Sequence, residues 1–426
     1  MTLTGVLAHG VGSRGTLPLP LWQFSWAASA ALVLSFVALG VLWKEAKLEP
    51  LAIGRPITGS ASAVRALTGL ARLTGLGLFA LTLFAAFAGE DDEVLNLAPV
   101  TIYVILWVGV PVVSLLFGDV WRGFNPFRTI GLAFPEQTAK PAPGHHWWAA
   151  GLLGGFLVLE LVHPSGASPR ILGWAMVVYA LVMIAGMSRH GRAWLDSADG
   201  FGVLFGLIAA IAPLFVDREG RLAWRPPLSG LHSVDVRAGT TLLILGVLGG
   251  TSFDGFSESP LFTDIIGRPT GWSAAPPKFI GLIALILIAT VLYWVGAKTT
   301  ASVAGISHER AAAMFAPSLV PIVLGYAVAH YAQLLLDETQ SFWFRLADPL
   351  GGNGEAADIN LNLFNADAIA WVQALAIVFG HVAGVVFAHD LAVANFDSRK
   401  AARSQQTMLV VMVIYSVAGL WLLFSA

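Results

Sequence analysis

The sequence contains no cysteine and little charge, and each absence excludes a class of protein. Without cysteine there are no disulfides, thiolate metal sites or iron–sulfur clusters, so His, Asp and Glu are the remaining strong ligands. Charged residues make up 12% of the chain and hydrophobic residues 56%, whereas soluble domains carry about 25% charge. Lipid must therefore solvate most of the surface. We predict one integral membrane domain over residues 1–426.

Several functional motifs are also missing. The net charge is −2 and no long basic run occurs, so nothing indicates nucleic acid as a partner and we expect none. The sequence has no Walker A loop, dinucleotide fingerprint, Gly-x-Ser-x-Gly elbow or His-Glu-x-x-His motif. ATP-driven pumping and serine-hydrolase chemistry therefore have no support.

The long hydrophobic runs predict an all-α transmembrane bundle. A helix needs about 20 apolar residues to cross a bilayer. Ten segments qualify: 21–43, 68–89, 98–118, 147–163, 169–187, 238–253, 279–297, 315–336, 368–390 and 405–425. An eleventh apolar stretch, 200–216, contains a proline near its end and is predicted to be a re-entrant or interfacial helix.

The distribution of Lys and Arg predicts the orientation. With ten spans, 19 of the 24 basic side chains lie on one side, which the positive-inside rule assigns to the cytoplasm. Both termini are then outside the bacterial inner membrane. Residues 1–20 become an exported tail, and 337–367 an extracytoplasmic loop.

The eighth span carries a polar stripe. Tyr326, His330, Gln333 and Asp337 fall on one face of an α-helix. Ionisable groups in a membrane are costly and usually face the bundle interior. The stripe is either a hydrogen-bonded seam between helices or part of a ligand or substrate site.

Two further spans carry candidate residues. Glu160 and His163 have the i, i+3 spacing with which helix bundles hold metals, although His163 precedes Pro164 and could simply end its helix. In the ninth span, Gly380 and Gly384 form a GxxxG step that predicts a close helix contact beside His381.

Ionisable residues at the ends of two spans are expected to be exposed to water. Asp254 and Glu258 follow the sixth span, where Gly255 favours a turn and solvated carboxylates. His389 and Asp390 at the end of the ninth span are expected to form a wet helix terminus.

Taken together, the predicted topology places seven possible ligands in the outer half of the membrane: His9, Glu160, His163, Asp254, Glu258, His330 and Asp337. A divalent ion such as Zn, Mn or Fe needs three or four such ligands. We therefore expect Glu160, His163 and His330 as ligands, and Asp254 or Asp337 as base. A bound metal would lower the pKa of its water to about 7.

The chain resembles a bacterial membrane-protein family labelled fenitrothion hydrolase. The resemblance rests on these stretches: 8–10 (AHG), 17–22 (LPLPLW), 118–122 (GDVWR), 125–128 (NPFR), 251–255 (TSFDG), 318–322 (SLVPI), 329–331 (AHY), 380–384 (GHVAG) and 388–390 (AHD). It implies a membrane-embedded hydrolase of apolar organophosphate triesters. Such substrates partition into lipid and would reach the site from the outer leaflet.

Two other functions fit the same residues. A secondary transporter or permease would use Tyr326, Gln333 and His381 along its pathway. A redox or assembly protein would bind haem or copper through His330 and His381. A purely structural subunit is the remaining alternative.

Overall fold

A computed structural model describes residues 20–361, 363 and 365–425. The predicted exported tail therefore lies, apart from Pro20, outside the described residues, as does His9.

The described chain is almost entirely helical. The apolar helices are α1 (Leu21–Leu42), α2 (Ala61–Ala88), α3 (Leu97–Phe117), α4 (Trp147–Leu161), α5 (Pro169–His190), α6 (Gly200–Ala209), α7 (Thr240–Ser257), α8 (Ala275–Ala304), α9 (Val320–Ala347), α10 (Ala366–Asn395) and α11 (Gln406–Ser425).

Short helices and one small sheet connect these elements. The short α-helices are Trp121–Phe124, Pro126–Ile130, Leu195–Ala198, Pro260–Ile266, His308–Phe315 and Ser398–Ser404. The 3₁₀ turns are Glu49–Leu51, Gly131–Ala133, Arg192–Trp194, Ser229–Ser233, Gly271–Ala274 and Ala316–Leu319. The antiparallel sheet has the order β1-β3-β2, from Arg55–Pro56 (β1), Leu214–Val216 (β2) and Leu222–Trp224 (β3).

Eight helical segments in the described chain are long and apolar enough to cross a membrane, so the protein is a multi-pass membrane protein. Helices α4 and α7, which were also predicted to span, have 15 and 18 residues. At 1.5 Å per residue they measure roughly 22 and 27 Å, against a hydrocarbon core of about 30 Å. Helix α4 is therefore short for a full crossing, whereas α7 lies near the lower limit of about 17 residues.

The ambiguous stretch 200–216 does not form a spanning helix. Helix α6 has ten residues, only about 15 Å of length, and the chain then turns into β2. Most of α6 is buried against neighbouring helices, including Phe201, Phe205 and Ile208. Protein therefore covers this element, as non-spanning backbone at membrane depth requires.

Helix α9 is the central helix. In the helical run His308–Ala347, 78% of the apolar window is buried, against 17–22% in α1, α2, α5 and the run containing α8. It packs against α3, α7, α10 and α11.

Helix α9 also continues through Ala347, beyond the predicted start of the 337–367 loop. The irregular segment after it folds back, because Arg345 Nη2 donates to the Glu355 carbonyl at 2.7 Å.

Helix α3 contains an unusual segment. Residues Val100–Gly109 form a π-helix between two α-helical parts, and this segment packs against α9. π-helical turns are rare and occur frequently at functional sites. Trp107 in this segment lies in the protein interior and is 6% exposed.

Asp390 ties the end of α10 to two distant segments. Its carboxylate accepts hydrogen bonds from Trp43 Nε1 at 2.8 Å and from the backbone amides of Lys47 and Leu48 at 2.6 and 3.1 Å. It also pairs with His232 Nε2 at 2.9 Å. Asp390 is fully buried, so the expectation of a wet helix terminus was wrong. These donors lie more than 150 residues away along the chain, where no local sequence pattern can indicate them.

The predicted GxxxG contact is confirmed between α9 and α10. A Cβ atom on Gly380 would lie 2.7 Å from the Pro321 carbonyl oxygen, and one on Gly384 would lie 2.8 Å from the Ser318 carbonyl oxygen. Gly325 faces this contact from α9 and approaches the Ala376 carbonyl oxygen in the same way. Only glycine allows the two backbones to pack this closely.

We predict that Gly380→Ala lowers the free energy of unfolding by about 1–3 kcal/mol, because backbone must move to admit the methyl group. The matched control is Gly246→Ala in α7, whose Cβ would meet no atom within 4 Å. The control should be neutral or stabilising by up to about 1 kcal/mol. Unfolding in detergent, followed by tryptophan fluorescence, measures both. Equal stability of the two variants would contradict the close contact.

We also predict that Asp390→Ala destabilises the protein by about 3–5 kcal/mol, because it leaves several buried donors without an acceptor. Exposed Asp397 supplies the control, and Asp397→Ala should change stability little. Limited proteolysis of the segment after α1 should be faster only in Asp390→Ala. Unchanged proteolysis there would argue against the anchoring role.

Candidate functional site

The structure divides the polar stripe of α9 into two parts. Tyr326 and His330 are buried at 3% and 0% exposure, and their rings stack in parallel with centroids 6.0 Å apart. Gln333 and Asp337, further along the helix, are only partly buried. The buried half is therefore the part that neighbouring helices must satisfy.

Asp254 on α7 is the hydrogen-bond partner of His330. His330 Nε2 lies 2.8 Å from Asp254 Oδ2, and the Tyr331 hydroxyl donates to the same oxygen at 2.8 Å. The side chains of Asp254 and His330 are both 0% exposed. The contact joins α7 to α9 through a carboxylate, an imidazole and a phenol.

The expectation of a turn at Gly255, with Asp254 solvated, was wrong. Helix α7 continues to Ser257, which carries Asp254 inward and leaves Glu258 exposed at the helix end. Gly255 is needed for packing instead, since a Cβ there would lie 2.8 Å from the Tyr326 hydroxyl oxygen. Glu258 therefore lies on the surface, whereas Asp254 is buried.

Glu160 joins the cluster from the last turn of α4. Its side chain is buried at 4% exposure and interacts with the Asp254 carboxyl and the Tyr331 hydroxyl. Trp107, from the π-helical segment, also lies beside Tyr331. Sequence reasoning did not single out Tyr331 or Trp107, because an aromatic residue in an apolar helix carries no signal of its own. We call Glu160, Asp254, His330, Tyr326 and Tyr331 the buried polar cluster.

His163 does not point into the buried polar cluster. Helix α4 ends at Leu161, so the i, i+3 geometry with Glu160 does not extend to His163. The His163 ring is half-buried, accepts the Ser165 amide on Nδ1 at 3.1 Å and packs edge-on against Trp272 at 5.0 Å. Within the described chain, no group of three His, Asp or Glu side chains is arranged to hold a metal ion.

Several polar atoms of the buried polar cluster lack a protein hydrogen-bond partner in the described chain. They are Glu160 Oε2, His330 Nδ1 and the Tyr326 hydroxyl. Buried polar atoms are satisfied in the great majority of cases, and exceptions often mark functional groups. Three exceptions around one carboxylate–imidazole pair make this cluster the candidate functional site.

His381, predicted to line a pathway, lies in a different environment on α10. It is 2% exposed, and its Nδ1 pairs with the Ile377 carbonyl oxygen at 2.8 Å. It lines a cavity of about 30 Å³ among α7, α8, α9, α10 and α11. That space is far smaller than a haem, so the residues around His381 do not fit the haem expectation.

Comparisons with known proteins add no assignment, because no family model, curated protein or solved structure matches this chain. The resemblance to fenitrothion hydrolases stays a prediction. The function must therefore be inferred from the geometry of the buried polar cluster.

The two tyrosines allow a matched test of this geometry. We predict that Tyr331→Phe destabilises the protein by about 1–3 kcal/mol, because Asp254 loses a buried donor. Tyr326→Phe removes a hydroxyl that has no protein partner in the described chain, so it should be neutral or slightly stabilising. Unfolding in detergent measures both variants. A larger loss in Tyr326→Phe than in Tyr331→Phe would contradict the hydrogen-bond assignment.

Proposed function

We propose that this protein is a proton-coupled secondary transporter and that the buried polar cluster is its proton-binding site. The observation that carries the proposal is the fully buried Asp254–His330 pair with the Glu160 carboxyl beside it. Ionisable groups buried in membrane proteins commonly form proton relays.

Charge balance supports a bound proton. Two neighbouring carboxylates in a site of low dielectric cannot both ionise without a compensating cation. A proton bound to any of these groups lowers the net negative charge of the cluster. At least one exchangeable proton therefore belongs to the cluster, and Glu160 Oε2 and His330 Nδ1 are atoms free to carry it.

Burial links this proton to a conformational change. The cluster residues come from α4, α7 and α9, and all are 0–4% exposed. Water can reach them only if these helices move apart. A proton then binds with different affinity in the closed and open states, and such a difference is what couples protonation to conformation.

Hydrolysis of an apolar phosphotriester is the second candidate, favoured by one observation. An imidazole held by a carboxylate, as His330 is by Asp254, is the arrangement of a general base with its orienting partner. A substrate and an attacking water would need access that the closed cluster does not offer. The metal-assisted form also needs ligands beyond Glu160, Asp254 and His330, because His163 points elsewhere.

Proteoliposomes containing an internal pH dye test the proposal. A panel of small neutral, cationic and anionic solutes is added outside under an imposed pH gradient. We expect at least one solute to accelerate proton movement across the wild-type vesicles, and Glu160→Gln and His330→Gln to abolish that movement. Each removes a group that can exchange a proton while nearly preserving its shape.

Matched controls come from the same helix ends. Glu258→Gln alters an exposed acid one turn beyond Asp254, and His163→Gln alters the imidazole that lies outside the cluster. Both should retain proton movement. Nitrophenol release from fenitrothion in the same vesicles, lost in His330→Gln, would favour the hydrolase instead. Metal-dependent release that is also lost in His163→Gln would favour its metal-assisted form.

A further inference from the structure

The cavity beside His381 carries a second inference, which does not depend on the proposed transport function. Its walls are mostly aliphatic, with His381, Tyr293, Tyr415, Met408 and Met412 as the exceptions. The two methionines are four residues apart on α11, so they lie on the same face of that helix one turn apart. Both are buried, at 5% and 4% exposure.

The hydrogen bond of His381 defines which ring atom is free. The Ile377 carbonyl can only accept, so Nδ1 carries the hydrogen and Nε2 presents a lone pair. His381 Nε2 is buried and has no protein partner within the described residues. An imidazole held by a backbone carbonyl on one nitrogen, with the other nitrogen free, is the usual state of a metal-binding histidine.

Water explains this arrangement poorly. A volume of about 30 Å³ could admit a water, but a buried water usually makes about three hydrogen bonds. The Tyr293 hydroxyl is already committed to the Ala312 carbonyl at 2.6 Å, and Tyr415 pairs with Ser252 at 3.4 Å. His381 Nε2 is then the main polar atom facing a largely apolar space.

We propose that His381 Nε2 and the thioether sulfurs of Met408 and Met412 form a binding site for a cuprous ion. Thioether and imidazole are ligands suited to Cu(I), whereas Mg, Ca and Mn prefer the carboxylates and water that this cavity lacks. Methionine supplies the only sulfur in a chain without cysteine. A monovalent ion also costs less to bury among neutral ligands than a divalent one.

Titration of the purified full-length protein with Cu(I), in competition with a chromophoric cuprous chelator, tests the site. We expect one Cu(I) per chain. His381→Ala and the double variant Met408→Leu/Met412→Leu should each weaken binding by about 10-fold or more. Met183→Leu is the control, because Met183 is equally buried but packs in a separate cluster with Phe127 and Trp194.

X-ray absorption at the copper edge provides a readout that depends on the ligands themselves. Two sulfur scatterers and one nitrogen in the wild type, with sulfur lost in the double variant, support the site. Wild-type protein that binds no Cu(I) would overturn it. So would Cu(I) binding that survives in both ligand variants, or a copper environment without sulfur. Since Leu nearly conserves the volume of Met, a folded double variant is expected, and its unfolding curve checks this.

Discussion

The hydrocarbon core of a membrane offers no hydrogen-bond partners, and this constraint shapes the centre of the protein. Helix α9 carries His330 and Tyr331 at a depth where only protein can satisfy them. Asp254 therefore has to reach them from α7, and it does so because α7 remains helical through Gly255. The Asp254–His330 contact holds two central helices in one register, since a shift of either would bury unpaired charge.

Close backbone packing makes this arrangement possible. Gly325, Gly380 and Gly384 let α9 and α10 approach until carbonyl oxygens face glycine Cα atoms. On another side of α9, the π-helical segment of α3 sets Trp107 beside Tyr331. Among the candidate spans of the described chain, the run containing α9 is the most buried. Its polar residues Tyr326, His330 and Tyr331 are almost completely shielded from solvent and lipid.

The two buried aspartates Asp390 and Asp254 differ in how their carboxyl groups are satisfied. Asp390 accepts hydrogen bonds from an indole, an imidazole and several backbone amides, so its carboxylate oxygens are satisfied and its role is to anchor. Asp254 shares its surroundings with a second carboxyl, Glu160, which has an oxygen without a protein partner in the described chain. Surplus acceptors in a buried site call for a proton, and for this reason we assign the proposed function to the Asp254 cluster and an anchoring role to Asp390.

The sequence by itself determined the fold class and much of the site, because hydrophobic length and 3.6-residue periodicity are local properties. It located the apolar helices, the close contact at Gly380 and the polar stripe containing His330. It could not show that α4 ends before His163, that α7 continues past Gly255, or that Tyr331 turns toward Asp254. Those features depend on helix ends and side-chain contacts between residues far apart in the chain, such as Asp254 and His330, 76 residues apart. Only tertiary packing decides which buried polar groups meet, and therefore which of them can share a proton.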